Sequence, residues 1–239
     1  MRFKDFLREA KHRQDISVEK ARELIEANCK DMDIRRPFWR GSRKTEEEAY
    51  IIQGELGGRS SANTTNHYTV VMDEFLPSQG YPARSKSIIM ASPDNQDYAL
   101  SYGKVYAIIP FDGVKIGVTS DEDIWHTRIK IGKSTSQSLS SWNEIFSDAD
   151  IPDYSFEDMV NGIEETMQDY EDPNSELFSH IFGGLDVAKA LQEAYSETNM
   201  RLRLTTTARP PNGPHECWVS GKCVALRLDV WKQLMGEMK

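Results

Sequence analysis

Three stretches, far apart in the chain, carry side chains whose types suit chemistry on a bound ligand. The first is Trp39-Arg40-Gly41, after Phe38. Arg40 is a planar, permanently charged donor of the kind that meets phosphate-like anions. In a strand Phe38 and Arg40 share one face and Trp39 takes the other, so burial of Trp39 would present Arg40 to a cleft. Gly41, with no Cβ, would let a ligand come close to the backbone. The second stretch is Ile88-Ile89-Met90-Ala91, bracketed by Ser87 and Ser92. It sets a short hydroxyl at the mouth of a strand, where sheet proteins place groups that touch ligands. The third is Glu216-Cys217-Trp218-Val219, a strand opened by a carboxylate that could stabilise positive charge. Tyr98 and Tyr102 offer ring faces for stacking. Asp121-Glu122-Asp123 rivals Glu216 for the acidic role, because it directly follows the apolar run Val114 to Val118. Cys217 has no partnered base, so a thiol nucleophile is not expected.

Taken singly, each of these residues has an ordinary explanation. Arg40 could be a strand-end arginine in a surface ion pair, and Glu216 an edge-strand carboxylate. Ser87 and Ser92 are common strand-end polar residues. Tyr98, Tyr102, Tyr106 and Trp218 are of types more often found in cores than on ligand platforms. Arg59, Arg84 and Lys86 read as solvated, and Asp121 to Asp123 as a solvated turn. The order of the stretches, not any one residue, carries the functional reading.

The elements that must position them can be read from the pattern. Ser87 to Pro110 gives an apolar strand, a polar break at Pro93-Asp94-Asn95, a short helical turn through Tyr98, Ala99 and Tyr102, a stop at Gly103, and a buried strand Val105 to Ile109. Before it, Phe3 to about Asp31 has helical periodicity. Ser17 caps a second helix whose apolar face is Val18, Ala21, Leu24 and Ile25. Residues 1–36 are therefore assigned to N-terminal helices. Tyr50-Ile51-Ile52 is a short apolar run, and Arg59 to Asn66 a polar loop. His67 to Phe75 fits a helix or a strand equally. From Ser134 the character changes to polar breaks between helical segments at Trp142 to Phe146, Phe156 to Met167 and Val187 to Tyr195. An acidic break, Gln168 to Ser175, lies among them. Residues 134–200 thus form a helical insert, expected to pack beside the cleft within one domain over 1–239, and excisable to leave a soluble core. The chain then returns to strands at Arg201 to Thr206 and His215 to Leu228, and closes with a helix from Asp229 to Met238.

Composition bounds the function. The 239 residues suffice for one large domain or two small ones, and a net charge of −9 argues against a broad nucleic-acid-binding surface. No apolar run approaches the roughly 20 residues of a membrane span. The charged start, MRFKDFLREAKHR, reads as a helix and not as a targeting segment. Cys29, Cys217 and Cys223 are odd in number and widely spaced, which suggests free thiols in a reducing compartment. Their spacing and the scattered histidines predict no metal.

In order, the three stretches resemble the ADP-ribosyltransferase superfamily, in its Arg-Ser-Glu branch. That family has an Arg, usually followed by Gly, on its first strand. A Ser-Thr-Ser-like strand, an Ala-x-x-aromatic-Gly segment and a strand ending near Pro and Gly come next. Last is a Glu followed by an apolar strand and a Gly. Here Arg40-Gly41, Met90-Ala91-Ser92, Ala99-Leu100-Ser101-Tyr102-Gly103, Pro110-Phe111-Asp112-Gly113 and the Glu216 strand fall in that order. The chain is also similar to ADP-ribosyltransferase-like proteins of tailed bacteriophages in its Trp-Arg-Gly, Arg-Ser-x-Ser-Ile-Ile and Glu-x-Trp features. The resemblance spans roughly Phe38 to Trp125 and Arg201 to Leu228. It departs from the family at Pro214, where arginine-modifying members carry a second Glu, and at Met90-Ala91, where a literal Ser-Thr-Ser is absent. The literal Ser134-Thr135-Ser136 lies in a Ser-rich loop without the segment that should follow.

The resemblance implies an α+β fold, with a split, mostly antiparallel mixed β-sheet of ADP-ribosyltransferase type. It implies transfer of ADP-ribose from NAD, used as substrate with no metal, to a host macromolecule. A protein acceptor is expected first and a nucleic acid second, with no membrane partner, in the cytoplasm of a bacterial host if the protein is phage-encoded. Glu216 would stabilise the oxocarbenium-like transition state. Arg40 and Gly41 would meet the pyrophosphate, Ser87 or Ser92 would orient Glu216, and Tyr102 or Tyr98 would stack on nicotinamide. Arg40 and Glu216 should then face one cleft. The alternative is a catalytically silent relative that uses the fold, and the insert, to hold a protein partner in a virion or in host takeover.

Overall fold

The computed structural model describes residues 13–43, 45–54, 66–169 and 171–237. The fold is α+β. Nine strands form one large sheet: β1 (Arg13–Asp15), β2 (Phe38–Ser42), β3 (Ala49–Gln53), β4 (Ile88–Ala91), β5 (Lys104–Pro110), β6 (Lys115–Val118), β9 (Arg203–Thr206), β10 (Glu216–Val219) and β11 (Lys222–Arg227). Their spatial order is β1-β3-β11-β5-β2-β4-β10-β6-β9. A two-stranded ladder of β7 (Arg128–Ile129) and β8 (Gln137–Ser138) stands apart. Every ladder among the described residues is antiparallel, so the expected mixed character is not seen there.

The sheet is divided in the middle. β2 pairs with β5 from Phe38 to Ser42, but meets β4 only at Trp39↔Ala91. This antiparallel pair is the one rung that β2 and β4 share. One apolar core joins strands of both halves, including Phe38, Ile108, Ala225, Met90, Cys217 and Val219, with helices α1 (Val18–Asn28) and α9 (Leu228–Glu237). A second core lies beneath α2 (His67–Phe75) and the insert, and takes Trp218 and Ile89 from the sheet. Trp218 can lie flat because its cross-strand partner is Gly117. A Cβ there would fall 2.2 Å from the indole ring.

The insert supplies α4 (Leu139–Asp148), α5 (Phe156–Gln168), α6 (Pro173–Phe182), α7 (Val187–Ala194) and α8 (Glu197–Met200); α3 (Gln96–Leu100) precedes it on the far side of β5. Each insert helix starts at a side chain that accepts a first-turn N–H: Ser138, Ser155, Asp172, Asp186 and Ser196. Trp142, Phe146, Ile163, Phe178 and Leu191 are fully buried with Trp218, which has 0% exposure. The insert is therefore structural cover for the sheet. Trp218 shares its core with these helices, so the solubility of a chain without the insert measures how much of that cover the sheet requires.

Three readings of the sequence change. Arg13–Asp15 is a strand paired to Tyr50–Ile52, not the continuation of a helix. The segment Phe3 to Ala10 lies outside the described residues. His67–Phe75, open between two states, is a helix. The break at Gln168 to Ser175 ends early: Asp172 caps a helix whose first residue is Pro173, where a missing N–H costs nothing.

Candidate functional site at the division of the sheet

The three stretches singled out by sequence lie on consecutive strands, β2, β4 and β10. Trp39 pairs with Ala91, and Ala91 pairs with Glu216, so the three form one row across the division. Paired residues leave the same face of a sheet, and neighbours along a strand alternate. Glu216 therefore shares a face with Trp39 and Ala91. Arg40, paired to Tyr106, leaves by the other. The two side chains do not converge on a single face, contrary to the expectation from sequence. Arg40 instead turns to the division itself, where its Nη1 donates to the carbonyl of Ile89 at 2.8 Å.

The space above Gly41 is filled. A Cβ at this position would lie 2.1 Å from the Ala99 carbonyl oxygen and 2.7 Å from Tyr102 Cβ. The glycine thus lets α3 and the following Tyr102 close onto β2, the place where sequence reasoning put a ligand. Gly41→Ala should cost about 1–3 kcal/mol of stability, because the Ala99 carbonyl oxygen, and Tyr102 C at 3.1 Å, are backbone and cannot rotate away. The denaturant midpoint measures it, and an unchanged midpoint would mean that α3 is free to lift.

Both serines serve the backbone. Ser87 Oγ donates to Ala83 O at 2.7 Å. Ser92 is fully buried; its Oγ donates to Gly213 O at 2.7 Å and accepts from His215 N at 3.0 Å. Ser92 thereby ties the end of β4 to the loop that leads into Glu216. Neither serine orients the glutamate. That role falls to Arg84, which sequence reasoning left as a solvated residue.

Arg84 is 3% exposed and Glu216 is 6% exposed. Arg84 Nη2 donates to Glu216 Oε1 at 2.5 Å. The guanidinium lies 5.4 Å from the Tyr68 ring centre and 5.7 Å from that of Trp218. Its backbone is fixed as well: Asp73 of α2 accepts from Arg84 N at 2.5 Å and from Ser85 N at 3.1 Å. The second glutamate oxygen, Oε2, accepts a longer bond of 3.4 Å from Ile124 N. No local pattern distinguishes a buried arginine in Pro-Ala-Arg-Ser from an exposed one. Its partner is far away in sequence, and only the fold brings it near.

Ile124 belongs to the turn Ile124–His126, which Asp123 caps by accepting from Trp125 N at 2.9 Å. The other oxygen of Asp123 accepts from Tyr98 Oη at 2.6 Å, and Tyr98 Oη lies 2.9 Å from Tyr102 Oη. Burial, and then the bond to Asp123, hold the Tyr98 hydroxyl well above the usual phenol range. Asp123 and Glu216 thus meet at one turn, the first half-buried and the second ion-paired. Burial pushes the Cys217 thiol well up, which disfavours the thiolate.

No protein-family model, curated protein or solved structure matches the chain. Among the described residues, no group of three or more His, Cys, Asp and Glu is placed to hold a metal ion. No described helix is long and apolar enough to cross a membrane.

Proposed function

We propose that the protein is an NAD-dependent ADP-ribosyltransferase that moves ADP-ribose to a host macromolecule. The supporting observation is the row Trp39-Ala91-Glu216. The three stretches that carry the resemblance are distant in sequence, yet they lie on neighbouring strands at the division of the sheet. In this reading the division opens to admit NAD. Arg40, already a donor across the gap, would exchange the Ile89 carbonyl for the pyrophosphate. Loss of nicotinamide leaves positive charge on the ribose. Glu216, fixed by Arg84 through one oxygen, would offer Oε2 to that charge without having to reorganise. Tyr102, exposed beside Gly41, is a ring for nicotinamide to lie on. The test is NAD carrying a label on its adenylate, incubated with the protein and a bacterial lysate. Label in the protein fraction supports the reading. Label that follows RNA or DNA assigns a nucleic-acid acceptor, and no transferred label counts against the activity.

A second reading, a catalytically silent binding protein, is favoured by two features. Glu216 is already neutralised by Arg84, and the insert is strongly acidic: residues 134–200 hold 15 carboxylates against Lys189 alone. Such a surface suits a basic protein partner, bound with a steep dependence on salt. Release of nicotinamide from NAD separates the two readings.

A further inference from the structure

The hydrogen bonds around Tyr98 have a direction. A phenol has one proton, and Tyr98 gives its own to Asp123 Oδ2 at 2.6 Å. The 2.9 Å contact between the two hydroxyls must then be donated by Tyr102. The chain runs Tyr102 to Tyr98 to Asp123, and the outer oxygen of Tyr102 has only lone pairs left to offer. Tyr102 is 47% exposed, whereas Tyr98 and Asp123 are half-buried behind it. The root of the Tyr102 side chain packs on Gly41, in the strand that carries Arg40, and Asp123 begins the turn that reaches Glu216. An anion wired to the surface through two hydroxyls can receive a proton from a group docked at Tyr102.

We propose that Tyr102, Tyr98 and Asp123 form a proton relay that activates the acceptor, and that the acceptor group is an uncharged hydroxyl. This rests on the ADP-ribosyltransferase reading. In the transfer, the bond between ribose C1′ and nicotinamide breaks and its electron pair leaves with neutral nicotinamide. A lone pair of the acceptor oxygen forms the new bond to C1′. The acceptor proton passes to Tyr102, the proton of Tyr102 to Tyr98, and that of Tyr98 to Asp123, which later returns it to solvent. The pyridinium charge of NAD is replaced by the released proton, so atoms and charge balance. Tyr102 alone touches the acceptor; Tyr98 and Asp123 act through it.

The test uses NAD as donor and methanol as acceptor, with methyl ADP-ribose as the product counted, for the full chain and for Tyr102→Phe and Tyr98→Phe. Both substitutions keep the ring, and Tyr102 is exposed, so the fold is retained. General-base catalysis is worth about 10²–10⁴-fold. Each variant should therefore lose about 100-fold or more in kcat for methanol transfer, with unchanged NAD affinity by calorimetry. A purely structural role would lower the unfolding midpoint instead, and a stacking role, which phenylalanine preserves, would leave kcat unchanged. Unchanged kcat in both variants of an active protein overturns the relay and leaves the ADP-ribosyltransferase reading standing. No nicotinamide release by the unmodified protein overturns the reading and the relay together.

Discussion

Arg84→Met should lower the unfolding free energy by about 3–5 kcal/mol, because it leaves the Glu216 carboxylate buried without its counter-charge. Both partners are under one-tenth exposed, so solvent cannot replace the lost guanidinium. Methionine keeps much of the side-chain bulk between Tyr68 and Trp218, which isolates the electrostatic part from a cavity. The double variant Arg84→Met/Glu216→Leu removes both charges and should recover most of the loss. The measurement is the denaturant midpoint of the three proteins at constant slope. A single-variant loss below about 1 kcal/mol, the scale of an exposed pair, would show that water reaches the site.

Glu216→Gln should reduce NAD turnover by about 10²–10³-fold, the range for removing one preorganised electrostatic group from a transition state. Glutamine keeps the shape and an oxygen for Arg84, so NAD affinity should stay close to that of the unmodified protein. The substitution also leaves Arg84 without a counter-charge, and turnover must be expressed per folded molecule. Full turnover in Glu216→Gln would transfer the charge-stabilising role to Asp123, the other carboxylate at the Ile124 turn.

Much of the sheet was legible because its strands are written in apolar, β-branched runs. Ile88-Ile89-Met90, Val105 to Ile109 and Val224 to Leu226 can hardly be anything but buried strands. Three insert helices were legible because polar breaks that contain their caps separate them, whereas Pro173–Phe182 and Glu197–Met200 were not read as helices. What was not legible depended on distant partners. Arg13–Asp15 is a strand only because the edge of β3 is there to receive it. The role of Gly41 requires knowing that α3 folds back onto β2. At the site, the stretches of Arg40, Ala91-Ser92 and Glu216, singled out by their order in sequence, lie on neighbouring strands. Their facing did not follow, because alternation along β2 and β4 is fixed by the register of one pair, Trp39↔Ala91. Ser87 and Ser92 looked available for a ligand because serine hydroxyls commonly are. Here the nearest acceptors are backbone carbonyls of a turn and a loop, and they take both.

The most direct test of the central claim is the release of nicotinamide from NAD by the unmodified protein, followed by chromatography with and without bacterial lysate. Release is expected, faster when lysate supplies an acceptor, and lost in Glu216→Gln. No release under either condition, from protein shown to be folded, would contradict it and leave a binding protein that uses its acidic insert.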